Sequence, residues 1–191
     1  MTDPKFICMI DSETLNTTSK AVVLQVAFVF VPADDPETII KSVVVHLPID
    51  AQLALNRTIG ASTLQFWAGQ PNFQDLLILS NGDDFDELPA LVRHLIRSFG
   101  NIVGNDGCEV WARGSDFDIA ILNSLFSDLG LEAPWRYDAV RDLRTLMSAA
   151  GVTKKDVIRD EALYPQHDAD ADARYQLLCY SESMKHLRAR S

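Results

Sequence analysis

The chain has 191 residues, 47% of them apolar and 23% charged, a balance that excludes a disordered chain and fits a single domain over residues 1–191 with a proper core. Its 17 basic and 27 acidic residues leave a net charge of −10. That charge excludes nucleic-acid binding through a broad basic surface, but not an enzyme whose acids gather around cations.

The elements follow in chain order. "FICMID" reads as a strand, and its apolar run ends abruptly in Asp11 and Glu13. "AVVLQVAFVFV" (21–31) is long, β-branched and aromatic, as a central strand requires. "PADDPE" is a turn, and "TIIKSVVVHL" (38–47) is a third strand, so an antiparallel meander is expected. "SNGDDFDELPALVRHLIRSFG" has an acidic start and helical apolar spacing through Leu88, Leu91, Val92, Leu95, Ile96 and Phe99, with Gly100 as the expected stop. "CEVWARG" (108–114) is a short strand. "SDFDIAILNSLFSDLG" (115–130) is a helix, with Ser115 as N-cap and Gly130 as stop. "VRDLRTLMSAAG" reads as another helix, and "DADADARYQLLCYSESMKHL" as the last. Strands followed by strand–helix alternation give a mixed sheet with helices packed on it.

The cysteines, Cys8, Cys108 and Cys179, are odd in number and widely spaced, which fits neither a zinc pattern nor a disulfide framework. A reducing cytosol is the expected location. No apolar run is long enough to span a bilayer, and "MTDPKF" lacks a signal-peptide pattern, so no membrane partner is expected.

Three groups of acids stand out. Residues two apart in a strand share a face, which sets Asp11 and Glu13 side by side, roughly 6–7 Å apart at Cα. Such a D-x-E is commonly a solvated strand end; alternatively it shares a hard divalent cation. In "GSDFDIAIL", Asp116 suits the first turn of a helix, where the dipole favours acids, and capping is the preferred reading for it. Asp118 lies between Phe117 and Ile119, at the edge of the core. The third group is "QHDADADARYQLL". An EF-hand loop from Asp168 would need glycine and glutamate where Ala173 and Cys179 stand, so that reading fails. As a helix start, Asp168 is an N-cap, and Asp172 shares its face at i+4 as a potential ligand. His46, His94 and His186 read as surface or core residues.

These groups, in this order, resemble the three motifs of the DnaQ-like, DEDDh family of 3′-to-5′ exonucleases. Motif I matches Asp11 and Glu13, motif II matches Phe117 and Asp118, and the H-x-A-x-x-D of motif III matches His167, Ala169 and Asp172. "STLQFWAGQ", "WARGSDFDIAIL" and "RDLRTL" are similar to segments of the phage exonuclease A and bacterial exoribonuclease branch, whose "RG" lead also favours Asp118 over Asp116. Proofreading members carry "H-N" where this chain has Arg113 and Gly114. The resemblance implies an α/β, ribonuclease H-like fold, a five-stranded mixed sheet flanked by helices. It further implies a bacterial or phage-infected host cytosol, and a homodimer as in many relatives.

The resemblance also implies two Mg²⁺ ions, with Mn²⁺ as a substitute, held by Asp11, Glu13, Asp118 and Asp172, and His167 as general base. Histidine exchanges protons near neutral pH, which suits that role. The reaction implied is hydrolysis of single-stranded nucleic acid from its 3′ end to nucleoside 5′-monophosphates. The phage-type likeness favours DNA, with an exoribonuclease acting on RNA 3′ ends as the alternative. For substrate contacts, Leu15 and Asn16 follow motif I where a residue wedges beneath the terminal base. Phe66 and Trp67 would stack on bases or pack in the core. Arg113, Arg141 and Arg144 could reach phosphates, although for Arg144 pairing with surplus acids is preferred. An idle acidic binding module would not need all five catalytic residues, and a glycosidase carboxylate pair leaves His167 unexplained.

Overall fold

Alternating apolar segments joined by short links fold as a meander. In the computed structural model, which describes residues 4–81 and 87–190, these are β1 (Phe6–Thr14), β2 (Val23–Pro32) and β3 (Lys41–His46). β1 pairs antiparallel with β2, and β2 with β3. On its other edge β1 accepts β4 (Cys108–Ala112) in parallel, and β4 accepts β5 (Val140–Asp142). The result is a five-stranded mixed sheet in the order β3-β2-β1-β4-β5.

Three short helices, α1 (Ile49–Ala54), α2 (Ala61–Trp67) and α3 (Phe73–Leu79), close over one end of the sheet, around Leu15, Val22, Leu24 and Leu76. One face, carrying Cys8, Ile10, Phe28, Phe30 and Val110, packs on α4 (Glu87–Val103) and α5 (Asp118–Asp128). The opposite face, carrying Ile7, Met9, Val29 and Trp111, packs on α6 (Leu143–Ala150) and α7 (Ala169–Arg188). Covering on both faces explains the unbroken apolar run at the start of β1: alternation is needed only where one face meets water. Among the described residues, no helix is long and apolar enough to cross a membrane.

Three local expectations are corrected. The helix expected to stop at Gly100 runs on to Val103, because Phe99 and Val103 are both buried and their burial outweighs the roughly 1 kcal/mol cost of a helical glycine. Gly104, with φ +56°, follows its end. The acidic start expected for that helix falls partly on residues 82–86, outside the described residues. Ser115 and Asp116 do not cap α5, which begins only at Asp118 with no side-chain cap. The Gly114 and Ser115 amides instead donate to Asp142 Oδ2, both at 3.0 Å, holding residues 113–117 as a turn. Finally, Val140–Asp142 is strand rather than helix. Pairing with Val110–Ala112 overrides local preference, and Asp142 then caps α6 through the Thr145 amide at 2.8 Å. Asp168 caps α7 as expected, accepting from the Ala171 amide at 2.9 Å.

Candidate active site

The β1–β4 ladder ends at Ile10↔Ala112, while β1 stays paired with β2 through Thr14. Beyond Ala112 the chain turns away toward α5. Asp11, Ser12 and Glu13 therefore have an open flank at the carboxyl ends of the parallel strands, where open α/β sheets form their crevices. The acids lie inside the strand rather than at its solvated end.

Strand alternation sends neighbouring side chains to opposite faces. Asp11 faces α7, where Gln176 Nε2 donates to its Oδ1 at 2.6 Å. Ser12 faces α5, and its hydroxyl donates to Asp118 Oδ1 at 2.6 Å. Asp118 is buried and Asp172 half-buried. Asp172 accepts from Arg159 Nη1 at 2.6 Å on Oδ1 and from the His167 amide at 2.8 Å on Oδ2. Arg159 also donates to the carbonyls of Tyr164 and Pro165, both at 2.7 Å, and so ties the loop before His167 to α7.

His167 has a left-handed backbone, φ +61°, a conformation that costs of order 1 kcal/mol and persists only where neighbours hold it. Its amide is held by Asp172, and its carbonyl accepts from Asn72 Nδ2 at 2.5 Å. Its ring meets Phe66 and Trp67 edge to face, at 5.0 and 5.9 Å between centroids. Ligand atoms of Glu13, His167 and Asp172 all lie within 4.8 Å of one another.

The electrostatics are those of a group short of positive charge. Burial pushes the Asp11 carboxyl well above the usual range, and Asp118, Glu13 and Asp172 push it further, against the Gln176 hydrogen bond. Burial first, then Asp172, Asp118 and Asp168, raise Glu13 to about 8. Burial raises Asp118 to about 7 despite its bond from Ser12 and the nearness of Arg144. Crowded, dry carboxylates hold protons that a cation would displace. An oxygen-rich donor set of this kind fits hard divalent ions of the Mg²⁺ and Mn²⁺ class.

The sheet thus brings Asp11, Glu13, Asp118, His167 and Asp172 to one end. The expected substrate contacts fare differently. Leu15 is 1% exposed and packs with Val22, Leu24 and Leu76, so it cannot wedge beneath a base. A register shift between Glu13 and Thr14 turns it into that cluster. Asn16 spends its amide on Thr58 Oγ1 and the Thr17 amide, at 2.9 and 2.8 Å, and pins a loop. Trp67 is 1% exposed and donates to the Thr14 carbonyl at 2.8 Å, whereas Phe66 is 46% exposed. Both border an open cleft of about 330 Å³ that also touches Glu13, Thr17, Ser62 and Phe117. Trp67 is therefore its floor and Phe66 its accessible wall.

Arg141 is committed to Glu109 at 3.1 Å and to the Asp138 carbonyl at 2.6 Å, which removes it as a phosphate contact. Arg144, expected to pair with an acid, makes no ion pair among the described residues. Arg113 is half-buried, and its Nε is buried without a hydrogen-bond partner. Sequence reasoning missed Ser12, Gln176, Arg159 and Asn72. Gln176 could have been found, since it stands one helical turn after Asp172; Arg159 and Asn72 carry no local signal.

The sheet order and flanking helices define a ribonuclease H-like fold. E. coli exonuclease I in complex with a dT13 oligonucleotide has a TM-score of 0.67 to this chain at 15% identity, over 97% of this chain and 42% of that one. The zinc-bound form of the E. coli exonuclease I–single-stranded DNA complex gives 0.67 at 14% identity, over the same 97% and 42%. The chain thus spans about two-fifths of the length of those structures. No curated protein matches the sequence. The model of the 3′-5′ exoribonuclease Rv2179c-like domain family matches residues 7–184. The chain belongs to that family.

Proposed function

We propose that the protein is a divalent-cation-dependent exonuclease that removes nucleoside 5′-monophosphates from the 3′ end of single-stranded RNA. The observation that carries this reading is the meeting of Asp11, Glu13, Asp118, Asp172 and His167 beside an open cleft with an aromatic wall. Asp11, Glu13, Asp118 and Asp172 would hold two Mg²⁺ ions, with Mn²⁺ able to substitute. Such a pair, when bound, stabilises the attacking and leaving oxygens of an in-line displacement and makes water a better nucleophile.

The chain's own groups supply the rest. Gln176, Ser12 and Arg159 fix the carboxylates of Asp11, Asp118 and Asp172. The terminal nucleoside would enter the cleft, its base against Phe66. His167, held by Asn72 and Asp172, would take a proton from the attacking water. The water oxygen bonds to phosphorus, the bond from phosphorus to the 3′-oxygen breaks, and that oxygen takes up a proton. The products are a 5′-monophosphate and a strand shorter by one nucleotide with a free 3′-hydroxyl.

RNA is favoured by the exoribonuclease name of the matched family and by the Thr17, Ser62 and Thr63 hydroxyls on the cleft, which suit a 2′-hydroxyl. The second reading is DNA, favoured by the phage-type "RG-x-x-F" lead and by the fold shared with exonuclease I. The test uses 5′-labelled RNA and DNA of one sequence, with Mg²⁺, Mn²⁺ or EDTA, and Asp11→Ala as control. Metal-dependent shortening from the 3′ end, faster on RNA and lost in the variant, is expected. Faster loss of DNA would select the second reading, and no shortening of either would sink both.

A further inference from the structure

Most of the chain's cations near the sheet ends are matched with acids. Lys20 and Arg57 pair with Asp128, Arg141 with Glu109, Arg159 with Asp172, and Arg174 with Asp170. Three cations beside the acidic cluster are not. Among the described residues, the side chains of Arg113, Arg144 and Lys154 make no hydrogen bond and no ion pair, in a protein with 27 acids to offer. Leaving a buried donor unbonded is costly, and the buried Arg113 Nε is such a donor.

Arg144 and Arg113 are brought together at Gly114, and Lys154 lies within electrostatic reach of Arg113. Arg144 lies across Gly114, where a Cβ would meet its Nη1 at 2.8 Å, and Gly114 has φ +108°. That position is fit for glycine on two counts: the backbone angle, and the guanidinium lying against it. Arg113 is the residue before. Like charge from Arg113 is the largest cause depressing the Lys154 ammonium.

Arg144, on α6, is near enough to lower Asp118, and Lys154, just past α6, feels Asp172, so the cations border the acids. The Phe66 cleft borders Glu13 from the α2 side. The cleft and the cations therefore both border the acidic cluster.

We infer that Arg113, Arg144 and Lys154 form a phosphate-binding rim that holds the strand upstream of the bond to be cut. This rests on the nuclease reading above. The rim would supply local attraction that the net charge of −10 withholds elsewhere, and it reads backbone phosphate without reading sequence.

Lys154 and Arg144 are exposed, so their replacement leaves the core untouched. The experiment measures binding of a labelled 20-nucleotide RNA by anisotropy across a salt series, for the wild type and for Lys154→Ala/Arg144→Ala, with Arg113→Gln and Arg113→Lys in parallel. Calcium replaces magnesium in the binding buffer. Each lost phosphate contact should flatten the slope of log K against log salt by about 0.7. The double variant should therefore be flatter by about 1.4, and Arg113→Lys should keep more of the wild-type slope than Arg113→Gln. In turnover with Mg²⁺, the loss of kcat/KM should be about ten-fold greater on the 20-mer than on a dinucleotide. Unchanged slopes, equal loss on both lengths, or no RNA binding by the wild type would overturn the rim. Wild-type binding with flattened variant slopes but no hydrolysis would uphold the rim and remove the nuclease reading instead.

Discussion

Asp118 and Asp142 stand at the starts of consecutive helices, Asp118 beyond β4 and Asp142 as the last residue of β5, and they behave in opposite ways. Asp142 accepts from the amides of Gly114, Ser115 and Thr145 and from the Thr145 hydroxyl, at 2.8–3.0 Å. Burial alone would raise its pKa, but these bonds outweigh it and hold the carboxyl below the usual range. Asp118 is buried with Asp11 and Glu13 nearby, and its bond from Ser12 does not offset that burial; it is pushed up to about 7. A carboxylate whose lone pairs the chain itself fills is a piece of structure. One kept dry among other acids needs a ligand the chain does not supply.

The contrast can be broken most sharply by substitution. Asp118→Asn should cut hydrolysis roughly a thousand-fold without loss of metal-free stability, because it removes a repelling charge, and Asp11→Ala and Asp172→Ala should cut hydrolysis as far. Full activity in any of the three, measured on labelled RNA and DNA, would remove the assignment. His167→Ala should lower kcat about a hundred-fold while changing Mg²⁺ affinity far less. Equal loss of both in a calorimetric titration would make the imidazole a ligand rather than the base.

The pH dependence of stability is the next effect in size. Glu13 is raised from 4.5 to about 8, so between those values the folded chain keeps a proton that the unfolded chain releases. Metal-free stability should therefore fall as pH rises through that window and level off above it. Urea unfolding in EDTA from pH 5 to 9 checks this, with Glu13→Gln expected to be flatter. Asp142 has the opposite sign: its contribution is present above the ordinary carboxylate pKa and is lost as pH falls through its depressed one. The smallest effect is on stability alone. Asp142→Ala should cost about 1–2 kcal/mol through the lost cap, read from denaturant midpoints, with a much smaller change in kcat than Asp118→Asn gives.

What the sequence disclosed was local in origin. Strand alternation pairs Asp11 with Glu13, and the Asp168 cap is set by its own next three residues. What escaped depends on distant partners. β5 exists because β4 offers it an edge, and Ser115 fails as a cap because Asp142 takes its amide from 27 residues away. Leu15 follows motif I in sequence but not in space, because the register shift at Glu13/Thr14 turns it into the core. Arg159, 13 residues before Asp172, bonds to it through a loop with no regular periodicity to read.

The most direct test is a calorimetric titration of Mn²⁺ into the metal-free protein at pH 7, repeated in two buffers of different ionisation enthalpy. Raised Glu13 and Asp118 mean that binding should release protons, and Glu13→Gln should release fewer. Mn²⁺ binding without proton release, or no binding at all, would contradict the reading of these acids as a cation site.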